Sequence, residues 1–176
     1  PVMGGESFGN FSVVNDTGVF QGEVKNVSFL YAPGFCQVLT TSLFKVDASN
    51  FSVIALTVRS ATPGYAGFKF AFNAVGAPRH HGGHEATGSY KQNFVATEAW
   101  STVKLPMLNF SSDWSDYTGD CDTLDPDGYQ HQCCTPATPD VCPDAARLSQ
   151  ITGYSFWAEG HEGPYQLEIK TVVATN

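Results

Sequence analysis

Three clusters in this 176-residue chain carry side chains able to do chemistry. His80-His81-Gly82-Gly83-His84-Glu85 sets three imidazoles and a carboxylate within six positions, the donor set of a Zn(II) or Cu(II) site. Protein metal sites take their ligands from rigid elements backed by hydrogen-bonding partners, and this run is a Gly-rich loop. A solvated loop is therefore the expectation, with His80, His81 and His84 as the metal candidates. Asp113, Asp116, Asp120, Asp122, Asp125 and Asp127 place six carboxylates in fifteen positions. Hard cations such as Ca(II) favour oxygen-rich loops, but the spacing lacks the fixed glycine and terminal acid of the calcium-binding loop. The plainer expectation is an exposed acidic face that needs no cofactor and either keeps the chain soluble or meets a basic partner.

The third cluster is Cys121, Cys133, Cys134 and Cys142, with Cys36 far away. An even group inside a loop rich in Gly, Pro and Asp reads as a disulfide-stapled insertion of an oxidising compartment. Adjacent Cys133 and Cys134 bond poorly to each other, so each is expected to reach Cys121 or Cys142. Cys36 falls in a predicted strand, where a buried inert thiol is the common outcome; pairing with an insertion cysteine stays open. Five asparagines, Asn10, Asn15, Asn26, Asn50 and Asn109, each open an Asn-x-Ser/Thr sequon, against about one or two by chance. They are glycosylation candidates and fit passage through the endoplasmic reticulum.

Nothing in the pattern supports catalysis. There is no Gly-x-Ser-x-Gly elbow, phosphate loop or dinucleotide fingerprint, and Gly4-Gly5-Glu6-Ser7 lacks the glycine spacing and following helix that phosphate binding needs. Glu159 and Glu162 could pair as in a glycosidase, but sequence does not fix their separation. Trp100, Trp114, Trp157, Tyr117 and Tyr129 offer faces for a sugar, yet Trp100 and Trp157 fall in predicted strands where core packing explains them equally well. The expectation is a non-enzyme.

The elements that must hold these residues are strands. Aromatics reach 13%, charged residues only 15%, and 17 Gly with 10 Pro cut the chain into short runs. That profile belongs to a sandwich or barrel, and the length suits one domain over residues 1–176 with a Cys/Asp-rich insertion at 111–144. Period-two alternation predicts strands at Gly18–Val24, Phe35–Thr41, Val53–Val58, Phe68–Phe72, Tyr90–Val95, Trp100–Leu105, Ile151–Trp157 and Tyr165–Lys170. In Val53–Val58 both faces are nearly apolar, as in a central strand covered on two sides. One helical turn is expected near Asp144–Leu148. The loop of 111–144 has no Lys or Arg, and its Trp114, Tyr117, Asp120, Asp122, Asp125, Asp127 and Tyr129 are the candidates for docking a partner.

A formal net charge of −8, from 17 acids against 9 basic residues scattered singly, excludes a nucleic-acid role. No apolar run approaches the roughly 20 residues of a membrane-spanning helix. The sequence opens at Pro1 with no apolar leader, so a targeting peptide is expected to have been removed or left out.

Several segments carry a resemblance. Val2-Met3-Gly4-Gly5-Glu6-Ser7, Asp16-Thr17-Gly18-Val19-Phe20-Gln21-Gly22-Glu23-Val24 and Gly34-Phe35-Cys36-Gln37-Val38 resemble the opening of the NADH:ubiquinone oxidoreductase complex I intermediate-associated protein 30 family. Ile54–Arg59, Trp100–Pro106 with Asn109-Phe110 and Trp114, Gly153-Tyr154 and Gly163–Ile169 look similar to its middle and end. The resemblance implies a galactose-binding-like β-sandwich that assembles or supports large membrane complexes of respiration or photosynthesis, with protein subunits as partners. Two stretches depart from it: 116–142 is longer and richer in Cys, and 78–84 carries the His group. Family members work in reducing mitochondrial or stromal space, so the stapled loop points to a relative moved to an oxidising one, the thylakoid lumen or the secretory route. The rival reading is a secreted or cell-surface carbohydrate-binding module.

Overall fold

Alternation sorts the apolar side chains of each strand onto one face, and in the computed structural model, which describes residues 5–40, 45–79, 81 and 88–176, two such faces meet. Among the described residues the strands are β1 (Phe8–Val14), β2 (Thr17–Val24), the two-residue β3 (Asn26–Val27) and β4 (Ala32–Pro33), β5 (Phe35–Leu39), β6 (Val53–Ser60), β7 (Phe68–Ala74), β8 (Ser89–Asn93), β9 (Ser101–Pro106), β10 (Ile151–Glu159) and β11 (Gly163–Thr175). One sheet runs β1-β2-β11-β6-β9 and the other β5-β10-β7-β8, all antiparallel. The fold is an antiparallel β-sandwich.

Its core lies between the sheets. Phe20, Leu56, Val58, Tyr165 and Leu167 from the larger sheet meet Phe68, Phe70, Phe72, Tyr90 and Phe156 from the smaller. Phe70 alone has ring partners in Phe110, Tyr154 and Phe156, at 6.2, 5.8 and 5.1 Å. Truncating such a ring to Ala removes its transfer energy and leaves a cavity, together about 3–5 kcal/mol.

Strands occur at all eight expected places, with β11 running on to Thr175. β1 was not expected. It is exposed along its whole length, so no burial pattern marks it, and a two-residue turn at Asn15-Asp16, both at positive φ, pairs it with β2. The expectation that β6 is covered on both faces fails: it is hydrogen-bonded on both sides, but only Ile54, Leu56, Val58 and Ser60 are buried. α1 (Ala145–Leu148) is the single helical turn foreseen, capped by the Asp144 carboxylate accepting from the Arg147 N–H. No described helix is long and apolar enough to cross a membrane.

Candidate docking site

On β7, Lys69 lies between Phe68 and Phe70, so when the phenylalanines enter the core the lysine must point out of the opposite face. Lys91 on β8, Ala71, and Ser155, Trp157 and Glu159 on β10 share that outer face. It is nonetheless buried, because the Ser111–Asp144 segment folds across it. The segment begins by pairing Ser111 with Lys91 of β8, backbone to backbone, and its two ends meet where the Ser112 N–H donates to the Val141 carbonyl at 2.9 Å.

What fastens the segment is charge as much as covalent bonding. The Lys91 ammonium sits 3.4 Å from the Trp114 ring centroid and 3.8 Å from that of Trp157, and donates to Glu159 Oε1 at 2.6 Å. Lys69 donates to Asp120 Oδ1 at 2.6 Å and to Asn93 Oδ1 at 2.8 Å. Deeper in the segment, His131 is wholly enclosed: Nδ1 lies 2.7 Å from Asp113 Oδ1 and Nε2 2.9 Å from Asp125 Oδ2. Both ring nitrogens are thus within hydrogen-bond distance of a carboxylate, so the imidazole ties the two aspartates together inside the segment. Ser115 donates to the other oxygen of Asp125, and Tyr129 and the Gln132 N–H donate to Asp113. Disulfides join Cys121 to Cys133 and Cys134 to Cys142, and Cys36 remains a free, buried thiol. Burial pushes that thiol up.

These ties decide which candidates face outward. Trp114 and Asp125 are buried and Asp120 is ion-paired, whereas Asp122, Asp127 and Tyr129 are exposed and Tyr117 is half-buried. The Asp127 carboxyl is held below the usual range, first by the Tyr129 N–H at 3.0 Å and further by His81. His81 stacks on Tyr129 with ring centroids 3.8 Å apart and reaches Asp127 with Nε2 at 3.3 Å. His80 and His84 lie outside the described residues, and among those described no group of three or more His, Cys, Asp or Glu side chains could hold a metal ion. Glu159 is committed to Lys91, while Glu162 is exposed. Trp100 has the Arg59 guanidinium 5.0 Å and the Lys170 ammonium 4.2 Å from its ring centroid. All five sequon asparagines are exposed.

The acidic segment also walls a cavity of about 600 Å³ along the seam where β1 and β5, the edges of the two sheets, come together. Phe11, Phe20, Val27, Leu30, Phe35 and Val38 give it an apolar floor, while Asp116, Tyr117, Asp125, Asp127 and His81 form its polar side. Sequence reasoning missed this cavity, along with the roles of Lys69, Lys91 and His131. The available signal was Lys69 itself, a cation on an otherwise apolar strand, which requires an anionic cover.

The fold is that of known binding modules. The chain superposes on a Family 11 carbohydrate-binding module from Clostridium thermocellum, determined in complex with a beta-1,3-1,4-mixed-linked tetrasaccharide, with TM-score 0.54 and 13% identity over 94% of this chain and 84% of that one. It superposes on the solution structure of CtCBM11 with TM-score 0.53 and 12% identity over 100% and 90%. PfGH50B matches at TM-score 0.50 and 13% identity, over 97% of this chain and 22% of the other. No curated protein matches the chain. The profile of the family described as Complex I intermediate-associated protein 30 matches residues 1–127, ending inside the acidic segment, so the similar-looking Gly153-Tyr154 and Gly163–Ile169 lie beyond the match.

Proposed function

This chain belongs to the Complex I intermediate-associated protein 30 family, and from that premise we propose that it is a non-enzymatic accessory or assembly subunit of a large membrane bioenergetic complex, acting by protein–protein docking. One observation carries the reading. β1 is an edge strand whose Phe8, Phe11, Val13 and Val14 are 58, 45, 69 and 53% exposed. Soluble sandwiches shield or charge such edges, and an apolar edge left open marks a surface that another protein covers. The acidic segment beside it adds Asp116 and Asp127 to the contact, and its disulfides lower the entropy lost on docking. The two disulfides fit an oxidising compartment. We therefore favour the thylakoid lumen and a photosystem over respiratory complex I in a reducing matrix.

A second reading, a secreted or cell-surface carbohydrate-binding module, draws on the five exposed sequons and on Tyr117 at the cavity wall. Against it, Trp114 and Trp157 are buried around Lys91, and Trp100 has two cations over its ring. Size fractionation of mildly solubilised native membranes separates the two. Co-migration with a complex far larger than 19.0 kDa, with both disulfides intact, is the expected result. A free, glycosylated monomer stabilised against heat by mixed-linked glucan would overturn the docking reading.

A further inference from the structure

Among the described residues the two sheets are unequal, five strands against four, and the shorter sheet ends at the cavity. Phe11 pairs in register with Phe20, so it projects from the core-facing side of the large sheet, and Val13 follows it on that side. Phe20 is covered by the opposite sheet, but Phe11 and Val13 remain exposed because the small sheet ends at β5. Among the described residues, the backbone of β5 is hydrogen-bonded to β10 alone, which leaves its other edge open along Phe35–Leu39. The apolar floor, the open edge and the carboxylates thus belong to one site.

We propose that an extended segment of a partner protein, apolar at alternate residues and carrying a lysine or arginine, pairs with the open edge of β5 as a fifth strand of the small sheet. Its inward side chains cover Phe11 in the cavity and Val13 beside it on the same face of β1, and its basic side chain meets the carboxylates of Asp116 and Asp127. This rests on the docking reading above and names the occupant. Strand addition supplies main-chain hydrogen bonds, while the cavity selects alternate side chains. Charge complementarity selects the basic residue: Asp116, Asp125 and Asp127 put three carboxylates in the cavity lining, where His81, which reaches Asp127, is the one described basic side chain; Asp125 is bonded to His131, and no described lysine or arginine lines the cavity. Asn10 also lines the cavity, so a glycan on its sequon would obstruct the same opening.

The test uses the full chain in native membranes, with photoreactive p-benzoylphenylalanine introduced at Val13 or, as a control, at the exposed Lys104 on the far edge strand β9. Expected is a cross-link from Val13, and none from Lys104, to an extended basic segment of a subunit in the large complex. A synthetic peptide of that segment should bind the isolated chain, and roughly fivefold less tightly after Asp116→Asn with Asp127→Asn, the loss of a partly exposed charge contact. A chain that co-fractionates with the complex yet gives no Val13 cross-link overturns the fifth strand while the docking reading stands. A cross-link to a second copy of the chain, or a glycan found on Asn10 in native protein, also overturns it. Peptide affinity unchanged by the two substitutions overturns the basic-residue assignment. A chain that never co-fractionates overturns both readings.

Discussion

A lysine held between two indoles and a buried carboxylate is a risky way to attach a loop, because each partner depends on the other. Removing one half of a buried ion pair leaves an uncompensated charge and costs about 3–5 kcal/mol, whereas replacing both halves with apolar groups is often neutral. Lys91→Met is therefore expected to lower the unfolding free energy from urea titration by that order, and Lys91→Met with Glu159→Leu to recover most of the loss. If the two single substitutions simply add in the double variant, Lys91 and Glu159 are not energetically coupled. The buried phenols give the pH dependence. Desolvation raises Tyr90 to about 12 and drives Tyr65 and Tyr165 higher still, against about 10 in the unfolded chain. Below pH 10 both states are neutral and stability does not depend on these groups. Above it the unfolded chain ionises first, so stability falls by up to about 1.4 kcal/mol per pH unit for each phenol until the folded value is reached. Absorbance at 295 nm should show these tyrosines ionising only as the protein unfolds. Tyr165 adds a sharper case, since its hydroxyl has no conventional hydrogen-bond partner among the described residues and lies beside the Cys36 thiol. Tyr165→Phe should leave the thermal midpoint unchanged or raise it; a loss above about 1 kcal/mol would mean the thiol contact stabilises the fold.

The disulfide-stapled segment covers the outer face of β7, β8 and β10 and supplies the carboxylates of the cavity. Its bridges close loops of sequence separation 12 and 8, for which the chain-entropy estimate is about 2.5–3 kcal/mol each. Cys134→Ser with Cys142→Ser should red-shift Trp114 emission as the segment loosens, while far-ultraviolet dichroism keeps its β signature; loss of both together would mean the segment is part of the folding core. Strands that pack one apolar face on the core declared themselves in the sequence, as Phe68–Phe72 and Tyr165–Lys170 did, because that packing writes a period of two. β1 did not, since an edge strand exposed along its whole length has no burial to record. The segment's inner network was equally hidden: Asp113, Asp125 and His131 are brought together by the Thr123–His131 turn and by Ser111 pairing to β8, geometry that no spacing rule encodes. Counting all six carboxylates as surface therefore overstated the exposed charge, since Asp113, Asp120 and Asp125 are held by internal partners.

At the scale of the whole molecule, one side of the sandwich differs from the rest. The open edges of β1 and β5, the cavity between them and the exposed acids of the stapled segment all lie there, while the outer face of β6 and β11 presents the Arg59–Glu168 ion pair, at 2.8 Å, with threonines beside it. A docking subunit needs this asymmetry, because a single covered side fixes its orientation on a large complex. Docking through that side predicts a defined footprint in amide hydrogen exchange, measured on the chain alone and within the purified native complex. Slowed exchange confined to residues 8–14, 35–39 and 116–127, with β9 unchanged, is the predicted result; protection centred on the outer face of β6 and β11, or none anywhere, would contradict it.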